Sequence, residues 1–138
     1  MNSQRVFFVD SSAFLALVNA RDLFHKDAVR IKGRVDKLGY DWLTSNLVIH
    51  EVTALLTRKI SRQSAFKFGD GIFAAGEGKI VWSDVEIERR AWGIYRHSRD
   101  ATLSLVDCVS FVIMEEFGVR HAFSFDKHFV ERGFQMIS

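Results

Sequence analysis

The feature that most limits how this chain can fold is a repeated switch of period: short apolar runs with no internal alternation are followed, each time, by longer stretches at helical spacing. RVFFV over residues 5–9, the brief run Trp42 to Thr44, KIVW over 79–82, His121 to Phe125 and Phe134 to Ile137 read as strands. Between them, AFLALV after Asp10, residues 24–38, Asn46 to Lys59, Ser61 to Phe73, and stretches opened by Asp84 and Ser104 read as helices. Gly39 and Gly118 stand where two of these should stop, and the glycine-rich AAGEGK follows another. Parallel strands need crossover connections, and helices supply them. The expected fold class is therefore α/β, doubly wound, with a largely parallel sheet covered on both faces.

Length and composition are compatible with that. At 138 residues the chain has the size of one domain with a continuous core, and 48% apolar with 26% charged residues is ordinary for a globular protein. No run approaches the ~18 apolar residues of a spanning helix, and the opening nine residues meet Asp10 too soon for a secretory signal, so a cytoplasmic location is expected. The single cysteine, Cys108, lies in an apolar stretch and reads as a buried, inert thiol. A net charge of +2 identifies no partner. Its distribution is more informative, because Arg58, Lys59, Arg62 and Lys67 form a cationic stretch with no acid between them, suited either to a solvated face or to an RNA backbone.

Four carboxylates stand out against this frame. Asp10 ends the first strand, at the edge where open α/β sheets gather their ligands, although a helix cap would also explain it. On a helical wheel, Glu51 falls between Leu47 and Leu55, each about 40° away, inside an apolar arc where a charge is costly unless paired or metal-bound. Arg58 on the same side is the alternative partner. Asp107 sits among Leu103, Phe111 and Met114, yet with Ser104 it also has capping-box spacing. Asp126 follows an apolar strand and alone would be an ordinary turn residue. Together, four acids that a parallel sheet would carry to one edge suit a hard divalent cation such as Mg²⁺, which takes a few carboxylates plus water and phosphate. Such a cluster points to phosphodiester chemistry. The five histidines, His25, His50, His97, His121 and His128, show no ligand-pair spacing on one helix, so zinc is not expected.

At these residues the sequence resembles the PIN-domain family, and within it the VapC-type toxin ribonucleases. FFVDSSAFLAL resembles the first family motif and gives Asp10; TSNLVIHEVTALL gives Glu51; LSLVDCVSFVIM gives Asp107, with Ser104 before it; AFSFDKHF gives Asp126. The resemblance implies one PIN-like nuclease domain over residues 1–138, with a three-layer α/β/α fold and a short, mainly parallel five-stranded sheet. It further implies a Mg²⁺- or Mn²⁺-dependent endoribonuclease, with metal-activated water attacking RNA. Asp10, Glu51 and Asp107 would hold the metal, and Asp126 a weaker ion or the water. Ser12, Ser104 and Ser124 would support that shell, and Arg58, Lys59, Arg62 and Lys67 would contact nucleic acid. A small cognate antitoxin and a homodimer are the implied partners, with apolar Phe14, Leu17, Leu23 and Phe24 as the antitoxin contact. A phosphoacceptor receiver domain is the rival class, but it needs paired acids after the first strand, where this chain has serines. The alternative on the same fold is a catalytically silent RNA- or antitoxin-binding module.

Overall fold

The computed structural model describes residues 5–76 and 79–138. The opening four residues, part of the segment read as free of a secretory signal, and residues 77–78 of the glycine-rich stretch lie outside it. Strand β1 (Val6–Val9) leads into helices α1 (Ser11–Val18) and α2 (His25–Lys37). Then follow β2 (Asp41–Ser45), α3 (Asn46–Lys59), α4 (Arg62–Ala74), β3 (Ile80–Val81), α5 (Val85–His97), α6 (Leu105–Phe117), β4 (His121–Phe123), α7 (His128–Glu131) and β5 (Gln135–Met136).

The five strands form one sheet in the order β3-β2-β1-β4-β5, and all four pairings are parallel. All four residues of β1 are buried, as a central strand covered on both faces requires. Helices flank the sheet in a three-layer α/β/α arrangement. From β3, at one edge, the chain crosses to β4 on the other side of β1, so strand order reverses between β1 and β4. A crevice therefore opens beyond the carboxyl ends of these two strands. The register Val9 opposite Phe123, with the Asp10 N–H donating to the Phe123 carbonyl at 3.0 Å, brings Asp10 and the residues after β4 to that crevice.

Local chemistry explains the boundaries. Ser45, Ser61, Asp84 and Ser104 each accept a backbone N–H with their side chain and start α3, α4, α5 and α6. Gly118 ends α6 at φ 67°, the left-handed conformation that a Cβ disfavours. An added Cβ there would meet no atom within 4 Å. Gly118→Ala should therefore cost about 1 kcal/mol through the backbone alone, seen as a melting point lower by roughly 3 to 4 °C; an unchanged melt would contradict this.

Four readings change. β3 and β5 are each two residues long, where KIVW and Phe134 to Ile137 suggested four. β4 stops at Phe123, because the Phe125 N–H leaves the ladder to donate to the Ser12 hydroxyl at 2.9 Å. The short helix α7 was not expected. The core is aromatic in part: Phe8, Phe111, Phe123 and Phe129 are fully buried, and Phe14 packs edge-on against Phe68 with ring centroids 5.1 Å apart. Among the described residues no helix is long and apolar enough to cross a membrane.

Candidate active site

Asp10 occupies the turn between β1 and α1, where it caps the helix and is only 3% exposed. Its Oδ2 accepts hydrogen bonds from the Ser12 and Ser124 hydroxyls at 2.9 and 2.8 Å. Each serine uses its own proton on Asp10 and then accepts one from the backbone, Ser12 from the Phe125 N–H and Ser124 from the Asp126 N–H at 3.0 Å. Two hydroxyls thus tie Asp10 to the segment carrying Asp126. Asp126 in turn accepts the His128 N–H at 3.0 Å, which sets the turn into α7.

Glu51 lies one turn into α3, half-buried, and no ion pair among the described residues includes it, so the Arg58 pairing is not formed. Asp107, 8% exposed, does both things its position suggested. It completes a true capping box, accepting the Ser104 N–H at 3.0 Å while Ser104 accepts its own, and it also faces the crevice acids.

The four acids lie close enough for their charges to act on one another. Burial raises the Asp10 carboxyl to about 6 against the Ser124 and Ser12 hydrogen bonds, and the Asp107 charge adds to the rise. Burial likewise raises Glu51, with Asp10 and Asp126 repelling its charge, and raises Asp107, which also feels Asp126. These carboxylates repel one another, and the His128 ring beside Asp107 and Asp126 offsets that repulsion only in part. Two buried polar atoms nearby, Ser11 Oγ and His128 Nδ1, have no well-aligned hydrogen-bond partner. A set of carboxylate oxygens with spare donor atoms beside it fits a divalent cation. A sequence model of the PIN domain matches residues 7–135. The chain belongs to the PIN-domain family.

Its relatives are consistent with that placement. The 23S rRNA-specific endonuclease VapC20 of Mycobacterium tuberculosis is 31% identical over 130 residues, covering 94% of this chain and 95% of its own. A VapC ribonuclease of Archaeoglobus fulgidus is 27% identical, covering 88% of this chain and 77% of its own. The crystal structure of M. tuberculosis VapC20, described as a sarcin-ricin loop cleaving toxin, superposes with a TM-score of 0.81 at 27% identity over 94% of this chain and 95% of that one.

Around this PIN-domain cluster the other anticipated residues divide. Arg58 and Arg62 line an open groove between α3 and α4 with Thr53, Thr57 and Phe66, and the Arg62 guanidinium lies 5.4 Å from the Phe66 ring centre. Lys59 and Lys67 are exposed but do not line it. Of the apolar residues read as a partner surface, Phe14 belongs to the core and Leu17 packs against it; Phe24 stacks on Phe125 at 4.6 Å, and Leu23 is 89% exposed. The thiol of Cys108 is buried, which pushes it up to about 11 and keeps it unreactive. One residue of the cluster went unrecognised. His128 is packed against Asp100, Asp107 and Asp126, and the spacing Asp126-Lys127-His128 across a turn was the signal that pointed to it.

Proposed function

We propose that this chain is a divalent-metal-dependent endoribonuclease and the toxin of a toxin–antitoxin pair. The convergence of Asp10, Glu51, Asp107 and Asp126 at the crevice beyond β1 and β4 carries the reading. In it, Asp10, Glu51 and Asp107 hold Mg²⁺ or Mn²⁺, and Asp126 a more weakly held ion or the attacking water. Ser12 and Ser124 keep Asp10 oriented, and Ser104 orients Asp107. When bound, the cation would lower the pKa of a water, steady the leaving oxygen and offset the repulsion between these acids and an RNA phosphate. The chain's own part is geometric: the serine-bonded turn after β1 holds Asp10 in place and the capping box on α6 holds Asp107.

The sarcin-ricin loop of 23S rRNA is the substrate to try first, because a relative 31% identical over nearly the whole chain is named a 23S rRNA-specific endonuclease and described as cleaving that loop. Purified protein incubated with that rRNA and with total RNA, with and without Mg²⁺ or Mn²⁺, should give metal-dependent internal cuts at a defined position. Intact RNA under every metal condition would leave the silent-module reading in its place. The proposed partners are a small cognate antitoxin, for which the exposed Leu23 beside Phe24 offers an apolar contact, and a second copy of the chain.

The groove of Arg58 and Arg62 is the proposed grip on the RNA backbone, with Lys59 and Lys67 at its margin. Reversing Arg62 and Lys67 to Glu should weaken RNA binding and reduce the salt slope by roughly 1 to 2, as expected for one or two lost phosphate contacts. Binding that is unchanged at low and high salt would mean that these cations form only a solvated face.

A further inference from the structure

His128 opens α7 with only 8% of its surface exposed, and its two ring nitrogens have different surroundings. Nε2 lies 3.0 Å from Asp100 Oδ2 and 2.9 Å from Thr102 Oγ1. The Thr102 hydroxyl donates to Asp100 Oδ1 at 2.6 Å, so toward His128 it can only accept. Asp100 is itself held ionised, chiefly by the Thr102 hydrogen bonds, and is also an acceptor. Nε2 therefore carries a proton in either charge state, and when the ring is neutral its lone pair is on Nδ1. Nδ1 is buried and has no hydrogen-bond partner. It lies 2.5 Å from Asp126 Oδ1 and 3.8 Å from Asp107 Oδ2, carboxylates that favour a proton on the ring despite its burial, so an ion bound at Nδ1 takes the place of that proton.

We propose that His128 Nδ1 is a nitrogen ligand that joins Asp107 and Asp126 in holding one divalent ion, and that it biases the site toward Mn²⁺ over Mg²⁺. This rests on the reading of the acid cluster as a metal site. One donor atom from each of the three residues falls within 4.8 Å of the others, comparable with the roughly 4 Å between opposite ligands of an ion bound at about 2.1 Å. Asp126, whose side chain is 26% exposed, has room to rotate and make space for the ion. The arrangement on the far side of the ring is the one that metal-binding imidazoles need, with a carboxylate accepting the other N–H and fixing tautomer and orientation. Asp100 performs that role from the α5–α6 connection. A second grouping of Asp100, His128 and Glu131 also brings donors together, but it would require Nε2, which is already committed to Asp100 and Thr102. Imidazole nitrogen suits the softer transition ions, whereas Mg²⁺ prefers oxygen throughout, so the ligand set discriminates between them.

Pulsed electron paramagnetic resonance of the untagged full chain loaded with Mn²⁺ tests this directly. The wild type should show a directly coordinated ¹⁴N coupling that becomes a ¹⁵N coupling after growth on ¹⁵N-histidine, and His128→Gln should lose it. By calorimetry, the ratio of Mn²⁺ to Mg²⁺ affinity should fall roughly tenfold or more in that variant. Mn²⁺ bound in the wild type through oxygen alone, with no nitrogen coupling, would overturn the proposal whether or not the variant folds; His128 would then be an imidazolium balancing the acids. Mn²⁺ that fails to bind the wild type, or binds Asp107→Asn as tightly, would overturn the acid cluster as a metal site, and the His128 ligand with it.

Discussion

Asp10→Asn is expected to abolish RNA cleavage while leaving the chain folded. The amide oxygen can still accept from Ser12 and Ser124 at the places where Oδ2 accepts now, and asparagine is as good a helix cap as aspartate. The negative charge is lost, however, and a hard cation depends on it. We expect a loss on the order of a thousandfold or more, about 4 kcal/mol of barrier, which takes cleavage below detection. The assay is metal-dependent cleavage of 23S rRNA by purified variant and wild type, with a thermal melt of each as the folding control. Metal-dependent cleavage retained by a folded Asp10→Asn protein would remove Asp10 from the active site.

The same substitution should raise stability once metal is withdrawn. Burial holds the Asp10 carboxyl at about 6, against an ordinary value of 3.8, so the folded state binds this proton more tightly than the unfolded chain does. The stability this proton contributes is complete below pH ~3.8 and is lost as pH rises through about 6. At pH 7.5 the ionised group thus opposes folding by roughly 3 kcal/mol at most, and Asp10→Asn removes that opposition. In chelator at pH 7.5 the variant should melt higher by up to about 10 °C, and the difference should shrink toward pH 4. Glu51→Gln and Asp107→Asn should shift in the same direction by less, since burial raises these less enclosed groups too. Added Mg²⁺ or Mn²⁺ should stabilise the wild type more than any of the three. If Asp107 served only its capping box, Asp107→Asn would instead cost about 0.5 to 1 kcal/mol. Destabilisation of all three variants in metal-free buffer would show that these acids hold the fold together.

Most of the fold was legible because its signals are local. Ser45, Ser61, Asp84 and Ser104 cap helices at the positions where the apolar period changes, and Gly118 ends α6 in a conformation that glycine tolerates best. The same locality explains the errors. The Phe125 N–H was free to continue β4 until the Ser12 hydroxyl, 113 positions away in the chain, took it. Phe14 reads as surplus apolar surface beside α1 until Phe68 of α4 and Trp42 of β2 close over it.

At the site, sequence alone determined which residue types stand at strand ends and helix starts, and so which acids a parallel sheet would carry to one edge. It left each acid ambiguous between cap, ion pair and ligand. Tertiary structure narrowed these: Glu51 has no Arg58 partner, Asp107 is a cap that also faces the other acids, and two serines bind Asp10 to the Asp126 segment. It also decided which nitrogen of His128 faces the acids, through Asp100 and Thr102 on a different connection. The physical reason is that capping and periodicity act between neighbours in the chain. Desolvation and charge repulsion depend instead on distances through space, between residues that here lie from about 20 to about 115 positions apart.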